Sequence, residues 1–367
     1  MNHFPETASH NEIIVLVWIP RVTATLSSLG SLAIMRMILS DRKEKLKKPN
    51  HRLMLGLSTI DAFHSAVYLM TTLPSPVDSN IYGAIGNTRT CSAQGFFLML
   101  GLAVPIYNTS LSLFFLLTIR YRMRQRDFAN KIEPFLHLVS VLAPLALASV
   151  FLFIGEIKSG GVQCYGKVDD SIIKLRIIWW VVFAMVTLCF CINSCALVSI
   201  SHYVVAQADT VRRYSYSQAQ NNRTSSKNKA TIVQSLLYTV AFFITFLFPY
   251  IAFFKDKWCF PLEVCTEIFY PLQGFWNFLL YTRPIIQREK RIAPEQSYLY
   301  IYWQAIFLGS RRNDTLMHNA RNRRDMNTLD LDDAIVIELA TEATESPQSP
   351  LQILGTRDND EREESEP

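Results

Sequence analysis

Charge is scarce in this chain: Asp, Glu, Lys and Arg make up 18% of its 367 residues, where soluble domains carry about 25%. Motifs that carry chemistry are scarcer still. There is no glycine-rich loop of the phosphate-cradling kind, no His/Cys cluster with metal-ligand spacing, and no Ser/His/Asp set that can be assembled. An enzyme is therefore not expected, nor a cofactor, a metal or a nucleic-acid partner. The seven His are scattered and read as surface or loop residues. No internal repeat is visible. The first dozen residues lack the basic region and cleavage site of a secretory signal, so the first apolar run is expected to serve as the targeting signal.

What the chain has instead is apolar sequence in blocks. Half of it is hydrophobic and 12% is aromatic. These residues gather into seven runs, approximately Ile13–Leu39, Leu53–Leu73, Phe96–Ile119, Phe135–Gly155, Leu175–Val205, Ala230–Phe254 and Val264–Ile285. Each is about twenty residues or longer, enough for a helix to cross a hydrocarbon core about 30 Å thick. The expected fold is an all-α membrane protein. A short extracellular N-terminus (1–12) precedes a seven-helix bundle (13–285), followed by an interfacial juxtamembrane segment (286–310) and a disordered cytoplasmic tail (311–367).

Basic residues give an orientation, because Lys and Arg are retained on the cytoplasmic side. The first, third and fifth loops hold sixteen of them, including Arg42, Lys43, Arg52, Arg120, Arg122, Arg124, Arg126, Arg212 and Arg213; the other three loops hold six. That balance predicts a plasma-membrane protein with its N-terminus outside and its C-terminus in the cytosol. The sequon at Asn108 then falls within the membrane and those at Asn222 and Asn313 fall inside, so no N-glycan is expected.

Three of the seven cysteines (Cys189, Cys191, Cys195) lie within the fifth run and read as free and structural. The other four, Cys91, Cys164, Cys259 and Cys265, fall on the oxidising side and allow three pairings. The favoured pattern is Cys91–Cys164, which ties the third run to the second outer loop, with Cys259–Cys265 as a short clip; four free thiols are the alternative.

Several runs carry more than a lipid anchor needs. Asp61 lies about 12 Å from the inner end of the second run, where an ionisable group is costly and is expected to turn inward to a partner. Arg21 could pair with Glu267 or snorkel outward. Pro105, Pro144, Pro249 and Pro271 are expected to bend the third, fourth, sixth and seventh helices. The stretch from Pro271 to Tyr281 gathers a proline, Gln273, Gly274, Asn277 and a phenol in three turns, so that face must look into the bundle.

These residues resemble the seven-helix G-protein-coupled receptors, and most closely the slime-mould cyclic-AMP-receptor-like and related protist receptors, whose last helix looks like Pro271-Leu272-Gln273-Gly274…Asn277…Tyr281. The topological match runs from about residue 13 to 290. Leu57-Ser58-Thr59-Ile60-Asp61 is similar to the second helix of rhodopsin-like receptors. Phe246-Leu247-Phe248-Pro249-Tyr250 is similar to their sixth, Ile119-Arg120-Tyr121 to the end of their third, and Cys91 with Cys164 to their outer disulfide. The chain departs from that pattern in having no acid before Arg120, no proline directly after Asn277, and Ser31 where an asparagine often stands. Cys91 and Arg120 are also some four residues further apart than in those receptors, so Arg122 is an alternative contact.

The resemblance implies a signalling receptor, with a heterotrimeric G protein, an extracellular ligand of unknown identity and the lipid bilayer as partners; a seven-helix transporter or channel is the alternative. No lysine occurs between Val264 and Ile285, which removes a retinal protein. Tyr107, Asn108, Trp179, Trp180, Tyr250, Glu267 and Gln273 are expected to line a ligand pocket in the outer half. Asp61, Asn277 and Tyr281 should form one switch network, with Pro249 and Pro271 absorbing the motion. Arg120, Tyr121 and Arg122 should meet the G protein.

The linking segments add detail. Ala208 to Lys229 reads as a flexible basic loop with Ser215, Ser217, Thr224, Ser225 and Ser226 open to kinases. Ser297 to Leu308, too aromatic for water and too short to span, reads as an interfacial helix. From Asp330 to Pro367 there are twelve acidic and two basic residues, and Ser346, Ser349 and Ser365 make this acidic tail a further kinase target.

Overall fold

A computed structural model of the chain describes residues 9–79, 81–154, 157–166, 173–214, 222–254 and 258–307. Twelve α-helices occur among them: α1 (His10–Ser40), α2 (Arg42–Lys45), α3 (Pro49–Tyr68), α4 (Thr88–Leu100), α5 (Ala103–Phe115), α6 (Gln125–Lys131), α7 (Glu133–Ile154), α8 (Ile173–Tyr214), α9 (Asn222–Phe254), α10 (Phe260–Phe269), α11 (Gln273–Ile292) and α12 (Tyr298–Phe307). A two-stranded antiparallel hairpin, β1 (Ile157–Ser159) and β2 (Cys164–Gly166), is the sheet among these residues.

The first helix is long and apolar enough to cross a membrane. Ser9 caps it by accepting from the Glu12 amide while the Glu12 carboxylate accepts from the Ser9 amide. The middle of its buried face is made of small and polar residues, Thr23, Ala24, Ser27, Gly30 and Ser31, between Leu16 and Val17 on one side and Ile34, Met37 and Ile38 on the other. Its exposed face carries Val15, Trp18, Val22, Leu26, Leu29 and Leu32. Over that middle stretch large apolar side chains face outward and small residues inward, which suits a helix that meets lipid outside and close-packed helices inside.

Five segments are helices long and apolar enough to cross a membrane: His10–Ser40, Thr88–Arg120, Glu133–Phe153, Ile177–Tyr203 and Val233–Phe254. The second and seventh runs differ. The second forms α3, 20 residues that bury His51, Ser58, Asp61, His64 and Ser65. The seventh is divided into α10 and α11 by a turn at Tyr270–Leu272. Pro271 therefore sits in a break rather than a bend.

The third run is also interrupted. Between α4 and α5 the backbone tightens, with the amides of Gly101 and Leu102 donating to Leu98 and Met99 at 2.9 and 3.1 Å. Pro105 cannot supply the amide that the Gly101 carbonyl would take in a helix, and the Val104 amide takes that place at 2.9 Å. The exit from α5 is a π turn, Leu116–Arg120. By contrast Pro144, Pro249 and Pro20 lie inside continuous helices.

The core is centred on α5, which packs against α3, α7, α8 and α9, while α1 packs against α3, α10 and α11. The largest buried cluster joins Ile34, Leu57, Phe114, Phe128, Ile200 and Phe242. The hairpin closes one end of the bundle through the Cys91–Cys164 disulfide. Gly95 is needed under it, since a Cβ there would meet Ile157 and the Cys164 carbonyl.

The second expected disulfide is not formed: Cys259 and Cys265 are free. Cys259 is the N-cap of α10 and Cys265 lies within it. Six residues along a helix span about 9 Å, beyond the Cα separation that a disulfide accepts. The basic loop between the fifth and sixth runs is shorter than expected, because α8 continues to Tyr214 and α9 begins at Asn222. Its positions 215–221, and the tail from 308 onward, lie outside the described residues. At the first loop, burial lowers the pKa of Lys45, whose Nζ donates to the Met37 carbonyl at 2.8 Å.

Candidate functional site

A polar corner forms in the interior where α1, α3 and α11 meet. Asp61 of α3 is buried, and its Oδ2 accepts from the hydroxyls of Ser31 at 2.7 Å and Ser27 at 3.1 Å. Ser27 is in turn bonded by the Gly274 amide at 2.8 Å, an amide that the break at Pro271 leaves in the first turn of α11. The approach is possible because two glycines face each other. A Cβ on Gly30 would come within 2.8 Å of the Gly274 carbonyl, and one on Gly274 would overlap Asp61 and Ser31. Ser31, where an asparagine was the family expectation, is thus the shortest partner of the aspartate.

Asn277 and Tyr281 share a face of α11 but do not bond Asp61. Gln273 Nε2 donates to Asn277 Oδ1 at 3.1 Å and to Asn108 Oδ1 on α5 at 3.3 Å. The Tyr281 hydroxyl meets His51 Nδ1 at 3.3 Å. The expected single network is therefore three: Asp61 to α1, Asn277 to α5 by way of Gln273, and Tyr281 to α3. Gln273 Oε1, Asn277 Nδ2 and Trp276 Nε1 are buried without a protein partner. Such atoms mark a polar centre whose hydrogen-bonding capacity is not filled by the protein.

The residues expected to line a pocket are dispersed. Asn108 and Gln273 meet as described. Glu267 is buried near the hairpin end, where its carboxylate accepts from the Tyr68 hydroxyl at 2.8 Å and its carbonyl from Thr23 at 3.1 Å. Arg21 does not pair with it; the guanidinium donates to Thr71 at 3.0 Å and lies over the Trp18 ring at 4.8 Å. Tyr107 points the other way, toward His137 Nδ1 of α7 at 3.1 Å, with its ring against Gly56. Trp179 packs edge-on to Phe151, and Trp180 is 54% exposed beside Phe253. Tyr250 stacks on Phe183 at 5.1 Å, one contact in a layer of rings joining α8 to α9 that includes Phe190 and Phe253.

At the opposite end, Arg120 and Arg122 converge on one residue that the sequence reading did not single out. The Arg120 guanidinium lies 5.5 Å from the Tyr203 ring, and Arg122 donates to the Tyr203 hydroxyl at 3.3 and 3.4 Å. Arg122 has φ +51°, a left-handed conformation that turns the chain back toward α8. Tyr121 is 66% exposed.

Two more groups went unread in the sequence. Arg52 makes a forked pair with Glu133, which His137 Nε2 also approaches at 3.5 Å, so the start of α7 is tied to α3. Asn193 of α8 accepts from Ser112 at 2.6 Å and donates to Thr109 at 2.8 Å, locking α8 to α5. Two histidines read as surface residues are interior: His51 at 3% and His64 at 5% exposure. The His64 ring lies over Gly101, which has no side chain to displace it, and edge-on to Tyr270 at 5.6 Å. A signal existed for His64, which follows Asp61 by three residues and so shares its side of α3; His51, ten residues before Asp61, does not.

The chain matches no protein-family model, and no curated protein matches it in sequence. What fold and site define is a class: a predominantly helical protein with five helices able to cross a membrane, a polar centre, and a hairpin secured by a disulfide. Among the described residues no group of His, Cys, Asp and Glu could hold a metal ion.

Proposed function

We propose that this chain is a seven-helix receptor of the plasma membrane that passes an extracellular signal to a heterotrimeric G protein. In this reading α3 and the α10–α11 pair complete the bundle begun by the five apolar helices, and the excess of Lys and Arg in the odd-numbered loops puts the disulfide outside and Arg120 inside. The basic segment from Ala208 to Lys229 and the acidic tail are then cytosolic targets for kinases.

The observation that carries the proposal is the third span. It touches helices on every side, is joined at one end to the hairpin through Cys91, and ends at the other in arginines resting on Tyr203. A ligand that shifts the hairpin or the Asn108–Gln273 bond could thus bias the position of Arg120, provided that it binds the two states unequally. Of the residues expected to line a ligand pocket, Asn108 and Gln273 are the pair that meet directly, and the extracellular ligand is left unidentified.

The test is recruitment of G protein by cells expressing the chain, compared with Arg120→Lys and Arg124→Lys variants at matched surface levels. Lysine keeps the charge and loses the planar fork. Recruitment reduced tenfold or more by Arg120→Lys alone supports the proposal; equal recruitment by both variants, or none by the parent over a broad ligand panel, counts against it.

A further inference from the structure

At the hairpin end of the third span, on the outside of the bundle, a groove of about 410 Å³ separates α4 from the tip of α7. Its upper part is formed by Thr88, Arg89 and Ser92, and its lower part by Phe96, Phe97 and Leu152. None of these belongs to the polar corner or to the Arg120 end.

The two kinds of lining residue are separated along the helix axis. Phe96 and Phe97 follow Arg89 by seven and eight residues, which puts them about 10–12 Å farther along α4. The three polar side chains at the top are also unemployed. Among the described residues, neither the Arg89 guanidinium nor the hydroxyls of Thr88 and Ser92 make a hydrogen bond or an ion pair. The first amides of α4 are not available to a ligand, because Asn87 Oδ1 already accepts from those of Arg89 and Thr90 at 2.9 and 3.0 Å. The positive charge on offer is the guanidinium itself.

The groove opens away from the bundle. Phe97, Leu152 and Phe153 are exposed there, Phe153 at 88%, on a face that a bilayer would cover. A helix about 10 Å across would use up the volume in less than one turn, so a protein segment is a poor fit. A cation with two hydroxyls standing one to two turns above an apolar channel is complementary to a single amphiphile, one anionic head over one alkyl chain.

We propose that the groove holds one phospholipid of the surrounding leaflet, with its phosphate diester on Arg89, Thr88 and Ser92 and one acyl chain along Phe96, Phe97 and Leu152. The guanidinium fork matches two phosphate oxygens. The proposal requires that the helices cross a bilayer and is independent of signalling to a G protein.

The test uses the full chain in lipid nanodiscs containing a phosphatidylglycerol with a diazirine in one acyl chain. A diacylglycerol bearing the same chain and no phosphate serves as the comparison. After irradiation, peptides covering 88–97 and 147–153 should carry the phospholipid label at least fivefold above the diacylglycerol label. Arg89→Gln should reduce phospholipid labelling there to the diacylglycerol level without changing the latter. Leu152→Trp, which fills the lower groove, should reduce both. Arg89 is exposed, and the intact Cys91–Cys164 disulfide on a non-reducing gel reports that each variant is folded. Equal labelling by the two probes, or labelling indifferent to Arg89→Gln, overturns the proposal. So does loss of labelling when millimolar glycerol phosphate is present during irradiation, since that would assign the site to a soluble phosphate.

Discussion

The corner of α1, α3 and α11 and the seam between α8 and α9 are both helix interfaces inside one bundle, yet they are joined by different chemistry. In the corner, two glycines bring backbones together and the serines, Asp61 and the Gly274 amide close specific hydrogen bonds. In the seam, Phe183, Phe190, Tyr250, Phe253 and their neighbours lie face to face or edge to face. A hydrogen bond is lost when its atoms part by an ångström, whereas ring contacts tolerate a range of offsets at similar energy. The corner therefore fixes one arrangement. The seam can slide, and a helix that must swing is better joined to its neighbour by rings.

The largest effect should come from removing the close approach. Gly274→Ala puts a methyl group into Asp61 and Ser31; overpacking of this kind costs about 3 kcal/mol and here also parts the Ser27 and Ser31 bonds. Thermal denaturation in detergent, followed by size-exclusion chromatography, should show a large fall in the melting point. A variant as stable as the parent would mean that the corner is as forgiving as the seam.

Next is the tether at the hairpin end, which belongs to neither interface. Cys91→Ala removes the disulfide between α4 and the hairpin, and bridges of this kind contribute about 2–4 kcal/mol. The same denaturation measurement, with and without reductant, should separate parent from variant only in the absence of reductant.

Asp61→Leu should follow, at about 2 kcal/mol, because the hydroxyls of Ser27 and Ser31 lose their acceptor while buried. Asp61→Asn keeps one acceptor oxygen and should cost less than half as much. If the two variants melt together, the hydrogen bonds are not what defines the corner.

The smallest effect is predicted for the seam. Phe183→Leu loses ring contacts with Tyr250 and Phe253 but keeps apolar volume, so about 1 kcal/mol is expected. A loss as large as that of Gly274→Ala would erase the distinction between the two interfaces.

How much of this was legible in the sequence depended on whether the information was local. Run length is local, so the helices α1, α7, α8 and α9 follow from it, and the placement of Cys91 just before the third run and Cys164 in the second outer loop was enough to favour their pairing. The aromatic stretch from Ser297 likewise is a helix, α12, with Leu299 and Trp303 exposed and Arg36 donating to its Ile306 carbonyl. What was not legible is which way a side chain turns. Tyr107 and Asn108 are adjacent in sequence, but helical rotation points the first to α7 and the second to α11. Placing His64 inside required knowing that Gly101 would leave space opposite it. The breaks at Gly101 and Pro271 look like ordinary proline bends in the sequence; at Gly101 the freed groups are taken up within three residues, whereas the Gly274 amide after Pro271 finds Ser27, which is distant in sequence.

The π turn at Leu116–Arg120 has a mechanical meaning of its own. Such a turn holds one residue more than an α turn, and each helical residue advances the chain by about 100° around the axis. The extra residue behaves like a slipped thread on a screw. Drawing it back into register would rotate everything beyond it, Arg120, Tyr121 and Arg122 together, by about a quarter turn while the part of the helix above stayed still. Tyr203 would lose both arginines at once, and their guanidinium groups would face a new direction without any lateral displacement of the span.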